Sequence, residues 1–193
     1  MMKIKRLFAW AVLAGVLGWG MLAASAGLTL AATGPEIRAN SEQTLTELYN
    51  TTPAARELGR RAKGILVFPE ITKGGIGIGG AYGEGSLWRG GQLIGYYSVG
   101  AGSVGLTLGA QKFSQVVMFM TQEALDKFVA SKGWEAGVDG SVVAIDEGTA
   151  GSADTASIVA KGEQNPIVGF IFGQQGLMFD ASFKGMKYSR IER

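Results

Sequence analysis

The side chains here that can do chemistry are carboxylates, amines and guanidinium groups, because the 193 residues include no histidine and no cysteine. That absence removes the usual ligands for zinc, copper and iron, and the commonest general acid–base. Carboxylates at Glu70, Glu84, Asp139, Asp146 and Asp180 can pair in space for glycosidase-like work, but spacing along a chain does not fix their separation. Each reads first as a turn or surface residue. No histidine completes a nucleophilic triad, and no G-x-S-x-G surrounds Ser86, Ser103 or Ser141. Two G-x-G-x-x-G matches, Gly75/Gly77/Gly80 and Gly100/Gly102/Gly105, lead into no helical pattern, so neither has the context of a dinucleotide site. The reading is a non-enzyme without metal or other cofactor.

The cations are patterned. Arg56, Arg60, Arg61 and Lys63 fall together, with Lys73 further on, against Glu57 and Glu70. Arg56, Arg60 and Lys63 are spaced by four and three, which puts them on one helical stripe, and Glu57 can pair with Arg61 at i+4. Such a stripe is either a solvated helix face or a contact for an anion or membrane. A second basic group, Lys184, Lys187, Arg190 and Arg193, closes the chain, while 123–163 carries eight acids against three lysines.

The elements that must position these groups begin with an export signal. Lys3, Lys5 and Arg6, an apolar run from Leu7 to Leu22 and Ala24-Ser25-Ala26 read as a secretory signal peptide over 1–26, with a retained anchor as the alternative. Its removal leaves fifteen basic against sixteen acidic residues, so the charge excess needed for nonspecific nucleic-acid binding is missing. Residues 27–39 read as a flexible leader and 40–193 as one domain held by apolar burial alone.

Within that domain Leu45, Leu48 and Tyr49 recur on one face of a helix starting at Asn40 or Ser41 and stopping near Asn50. They serve either as core or as membrane-inserting residues. Thr52-Pro53 opens a second helix, Pro53 to Lys63, with Gly64 as its stop. Ile65 to Phe68 is an unbroken apolar run, a buried strand. Fourteen glycines then fall between Gly74 and Gly109, too many for a helix at about 1 kcal/mol each. Gly75, Gly77 and Gly79 leave one strand face bare, a secondary candidate for close approach of a ligand. Gly90-Gly91 makes a hairpin. Further strands follow at Leu106–Ala110, Phe113–Thr121, Ser141–Ile145, Ile167–Phe172 and Leu177–Ser182, and a last one holds Met186 and Tyr188. A helix capped by Thr121, a mobile loop at 148–162 and a turn at 173–176 interrupt them. The fold class is α+β, mainly antiparallel β-sheet, barrel- or sandwich-like, with an N-terminal helical pair and one later helix.

Thr52-Pro53-Ala54-Ala55-Arg56 through Ala62-Lys63-Gly64-Ile65-Leu66-Val67-Phe68-Pro69 carry a family pattern. It continues in Gly79-Gly80-Ala81-Tyr82-Gly83-Glu84-Gly85, Gly95-Tyr96-Tyr97, Gly109-Ala110-Gln111, Phe119-Met120-Thr121 and Gly133-Trp134-Glu135-Ala136-Gly137-Val138-Asp139. In that joint order the chain resembles the SYLF-domain lipid-binding family, in its exported bacterial branch, over about Glu42 to Ile191. The resemblance implies a non-enzymatic module that binds membrane lipids, with phosphoinositide binding and actin bundling in eukaryotic relatives. It implies a lipid-headgroup site on the second helix, at Arg56, Arg60, Arg61 and Lys63, with Lys73 beyond it. The partners expected are anionic phospholipids or other lipid headgroups at a membrane surface, and no nucleic acid. The setting is the periplasm or cell envelope, peripheral to or anchored in a membrane. The alternative is a structural, self-associating interaction module of the envelope.

Overall fold

Two long strands and the tight turn between them carry the architecture. The structure, a computed structural model, describes residues 32–146, 154–176 and 182–193. The expected export segment lies outside them. Residues 32–193 form one unit. Helices α1 (Gly34–Thr51) and α2 (Pro53–Arg61) lead into strands β1 (Gly64–Arg89) and β2 (Gln92–Phe119). Then come α3 (Gln122–Ala130), β3 (Trp134–Glu135), β4 (Val143–Asp146), α4 (Thr155–Glu163), β5 (Ile167–Gly176) and β6 (Lys187–Ile191). The β1–β2 turn is where its glycines predict it. Gly90 and Gly91 have φ of 56° and 79°, the left-handed pair that a two-residue hairpin needs.

The sheet runs β3-β6-β2-β5-β4, with β1 along the other edge of β2. Every pairing is antiparallel except β4 with β5. β2 is shared: its first part, Tyr96 to Gly100, pairs β6, and its last part, Gln111 to Phe119, pairs β5. The sheet therefore has two halves joined by the middle of the β1–β2 ribbon, and it folds over on itself there. β1 crosses its own earlier course. A Cβ on Gly83 would stand 2.7 Å from the Glu70 carbonyl oxygen, and one on Gly85 would overlap the Val67 carbonyl oxygen.

Between the halves lies one core. Leu66, Phe68, Phe113 and Val117 of the first half meet Leu87, Tyr97, Val99 and Tyr188 of the second, with Phe128 of α3 and Trp134 filling the space. The Phe68 and Tyr188 rings, one from each half, are 5.6 Å apart. Tyr188 is buried, so its hydroxyl needs a partner, and it donates to Gln115 Oε1 at 2.9 Å. On the outer face of the first half, Val67, Met118 and Phe170 are covered by Leu48 of α1, Leu58 of α2 and Ile158 of α4. Both faces of Ile65–Phe68 are thus occupied, which is why an unbroken apolar run makes this strand.

Several boundaries differ from the expectations. The leader expected over 27–39 gives way to helix at Gly34 instead of Asn40. Pro35 sits in the first turn, where a missing N–H costs nothing, and the Glu36 carboxylate accepts from the Thr33 N–H at 2.8 Å and from its hydroxyl at 2.7 Å. α2 ends at Arg61, before Lys63. Gly64 is the first residue of β1, kept small by Leu125, whose Cδ1 would lie 2.6 Å from a Cβ there. The expected loop at 148–162 contains α4, a second later helix, capped by Asp154, whose Oδ1 accepts from the Ser157 N–H at 2.8 Å. Thr155, Ser157, Ile158, Val159 and Gly162 are weaker helix formers, so tertiary packing on Leu58 decides it. The expected turn at 173–176 is a bulge inside β5, with Gly173 at φ 65°. Residues 177–181, where the residue pattern predicts the start of a strand, lie outside the described residues.

The crossing sets a test. Gly85→Ala should destabilise the fold by about 1–3 kcal/mol through overpacking. Gly102→Ala, at a position with nothing within 4 Å, should leave it unchanged. Thermal unfolding followed by circular dichroism separates the two.

Candidate functional site

Helix α2 buries Ala54, Ala55 and Leu58 and turns its charged side chains outward; Arg56, Arg60, Arg61 and Lys63 all reach solvent. Its nine residues start cleanly because Pro53 occupies the first turn. The arginines are already engaged. Glu57 receives Arg61 at 2.6 Å and Arg60 at 3.3 Å, and Arg61 also meets Glu163 of α4. Arg56 donates to Asn50 Oδ1 at 3.1 Å. The hydrogen bond and charge of Arg61 hold the Glu57 carboxyl below its ordinary value. Arg56 and Lys63 have no carboxylate partner among the described residues. Lys73 does not join the group: it lies on β1, about 30 Å along the strand from Gly64 at ~3.3 Å per residue.

The three apolar residues of α1 are occupied in packing. Leu48 is 1% exposed, and Leu45 and Tyr49 are partly buried against the same cluster. The Tyr49 hydroxyl rests on Gly59 of α2, where a Cβ would overlap it, and burial pushes that hydroxyl up. Together these contacts fasten α1 to α2.

Gly75, Gly77 and Gly79 do not form a flat bare face. The register with β2 shifts between Ile76 and Ile78, and a Cβ on Gly75 would overlap the Ile78 carbonyl and the Gly79 Cα, the strand's own backbone. The open glycines lie one step further on. A Cβ on Gly80 or Gly100 would find only a carbonyl oxygen, at 3.5 and 3.8 Å, and one on Gly102 would find nothing. Among the described residues three large apolar side chains stand in solvent, and no reading of the sequence marks them as exposed: Ile78 (74% exposed), Tyr82 (56%) and Val138 (74%). The signal for Val138 is local, since Gly137 at φ 90° makes a loop tip there. Glu163 as a partner of Arg61 has no local signal, because about a hundred residues of chain separate the two.

The candidate carboxylates are engaged elsewhere. Glu70 pairs Lys112 at 2.8 Å, and Asp139 accepts from the Glu135 N–H at 2.6 Å. Glu84 accepts from the Tyr82 hydroxyl at 2.6 Å and from Arg193 through both Nε and Nη2. Burial pulls the Glu84 carboxyl up, but Arg193 and Tyr82 outweigh it and the net shift is downward. Asp180 lies outside the described residues. Among these residues no cluster of three potential metal ligands occurs, and no helix is long and apolar enough to cross a membrane.

Residues 100–192 fit a family model described as Ysc84: Las17-binding protein actin regulator. It spans β2 from Gly100 onward through β6, and leaves α1, α2 and β1 outside. No curated protein matches the chain.

Two outcomes follow from the geometry. Leu48→Ala should cost about 2–5 kcal/mol in chemical denaturation, as a core truncation does. Glu84, held low in the folded state, stabilises above its unfolded pKa and ceases to as pH falls through its folded one. Arg193→Ala leaves burial less opposed and raises that folded pKa. Acid unfolding, followed by circular dichroism, should then begin at a higher pH.

Proposed function

Because this chain belongs to the Ysc84 family, the SYLF domain, through residues 100–192, we propose that it is a non-enzymatic binding module for anionic lipid headgroups, exported and peripheral to a cell-envelope membrane. The observation that carries the reading is the exposure of four cations on or beside one short helix, α2. An arginine fork matches a phosphate as well as it matches a carboxylate. Surface ion pairs such as Arg60–Glu57 are weak, so a phosphate-rich surface can displace the carboxylate.

Magnitude limits what α2 does alone. Arg56 and Lys63, without carboxylate partners, contribute about 1 kcal/mol each near an anionic surface. That is between one and two decades of affinity, enough to orient the protein and too little to hold it. Apolar insertion must supply the rest, and α1 does not offer it, since Leu45, Leu48 and Tyr49 pack inward.

A second reading, self-association, draws on β1, which has no strand partner on its outer edge among the described residues. An open edge is a template for another strand. In part it is covered: the Ser41 hydroxyl of α1 donates to the Val67 carbonyl at 3.5 Å.

Flotation of the chain from Gly27 onward with vesicles distinguishes the two. The headgroup reading expects retention on vesicles containing phosphatidylglycerol, loss with Arg56/Arg60/Arg61/Lys63→Ala, and several-fold stronger retention with Glu57→Gln. Equal retention on neutral and anionic vesicles, or indifference to the four alanines, would sink it. Sedimentation that stays monomeric at high concentration counts against self-association.

A further inference from the structure

Among the described residues, the three large apolar side chains left in solvent lie at one end of the sheet. In the half-sheet of β1, β2, β6 and β3 the registers align Tyr82 with Gly100, Gly100 with Lys187, and Lys187 with Glu135. Neighbouring strands are antiparallel, so moving toward the fold-over runs from Tyr82 to Ile78 on β1 and from Gly100 to Gly102 on β2. The same direction leads from Lys187 to Lys184 before β6 and from Glu135 to Val138 after β3. Ile78, Tyr82 and Val138 therefore gather at one end of this half-sheet. The loop carrying Val138 lies beside Lys184, since a Cβ on Gly137 would stand 3.8 Å from Lys184 Cγ.

From this convergence we infer that the fold-over end of the second half-sheet inserts into the headgroup layer of a phospholipid bilayer, Ile78, Tyr82 and Val138 entering the acyl boundary while Lys184 and Lys187 contact phosphate. The inference rests on the lipid-binding reading and supplies the apolar component that α2 lacks. Four strands at about 4.8 Å spacing, and four residues of strand at about 3.3 Å, make an end roughly 14 by 13 Å. Gly80, Gly100 and Gly102 are open, so the large side chains beside them stand proud of the backbone instead of packing on neighbours. Tyrosine suits the membrane–water boundary because its ring is apolar and its hydroxyl polar, and here the hydroxyl is already held by Glu84. Lys184 and Lys187 are exposed and have no carboxylate partner among the described residues. Glu135 and Asp139 stand at the same end, so its net charge is near zero. Its contribution is therefore mainly apolar and less sensitive to salt than that of α2.

The absence of cysteine makes the test clean, because any introduced thiol is the only label site. Ile78→Cys, Val138→Cys and, as a control on the exposed face of α1, Thr46→Cys are labelled with an environment-sensitive nitrobenzoxadiazole in the chain from Gly27, which contains the whole 32–193 unit. Vesicles of phosphatidylcholine with phosphatidylglycerol should shift the emission of the labels at 78 and 138 to the blue and leave the label at 46 unchanged. In 1 M salt, where screening acts within about 3 Å, the double variant Ile78→Ser/Tyr82→Ser should partition at least tenfold less than wild type, since burying one aliphatic side chain is worth about a decade. If the wild-type chain floats but the labels at 78 and 138 stay in water, or the double variant floats as wild type does, the inserting end is overturned and the headgroup reading stands. A wild-type chain that binds no vesicle overturns both. A blue shift on raising protein concentration without vesicles assigns this end to a second copy of the chain and overturns insertion.

Discussion

The close crossing of β1 over itself is the constraint on which the rest depends. A strand of 26 residues cannot stay flat beside a partner of 28 and still bury both its ends. It bends through the glycine-rich ribbon, and its two courses meet at Gly83 and Gly85, where backbone lies against backbone. Any side chain there would prise the halves apart. With them closed, Phe68 reaches Tyr188 and the rings of Phe128 and Trp134 complete one aromatic core without a disulfide. The glycines thus differ in role, since those at 83 and 85 permit contact while those at 80, 100 and 102 face open space.

Closing the sheet leaves its outer surfaces to be covered, and the helices divide that work. α1, α2 and α4 cover the first half, bringing the carboxylate of Glu163 to the arginines of α2. The helix that reads from its residues as a basic stripe is a mixed-charge surface once its neighbour is in place. Its cations remain exposed and exchangeable, but their net field is smaller than the local count. Among the described residues the end of the second half has no such cover over Ile78, Tyr82 and Val138. On the proposed reading, attraction and insertion fall to separate parts of one domain, the first screened by salt and the second much less so.

A fold with two buried layers is legible in part from its local patterns. The run Ile65–Phe68, the hairpin glycines Gly90-Gly91 and the Thr121 cap are local signals, and the structure realises each where it stands. α4 is not legible because Thr155, Ser157 and Val159 favour other states, and the Asp154 cap commits them to a helix together with the fit of Gly162 against Leu58. The early start of α1 is hidden for a different reason: Pro35 opposes a helix only in its interior, and Thr33 with Glu36 makes it a starting residue.

The sequence by itself determined the chemistry that is present and absent: cations clustered on a short helix, no histidine or cysteine, and glycine at a density only a bent sheet accepts. Residue types and near neighbours suffice for that. The tertiary structure alone decided which glycine face is open, that Leu48 is core, that Arg61 shares its charge with Glu163, and that Ile78 and Val138, sixty residues apart, share one end of a half-sheet. Each of these depends on strand register or on packing between distant segments, and neither is encoded in spacing along the chain.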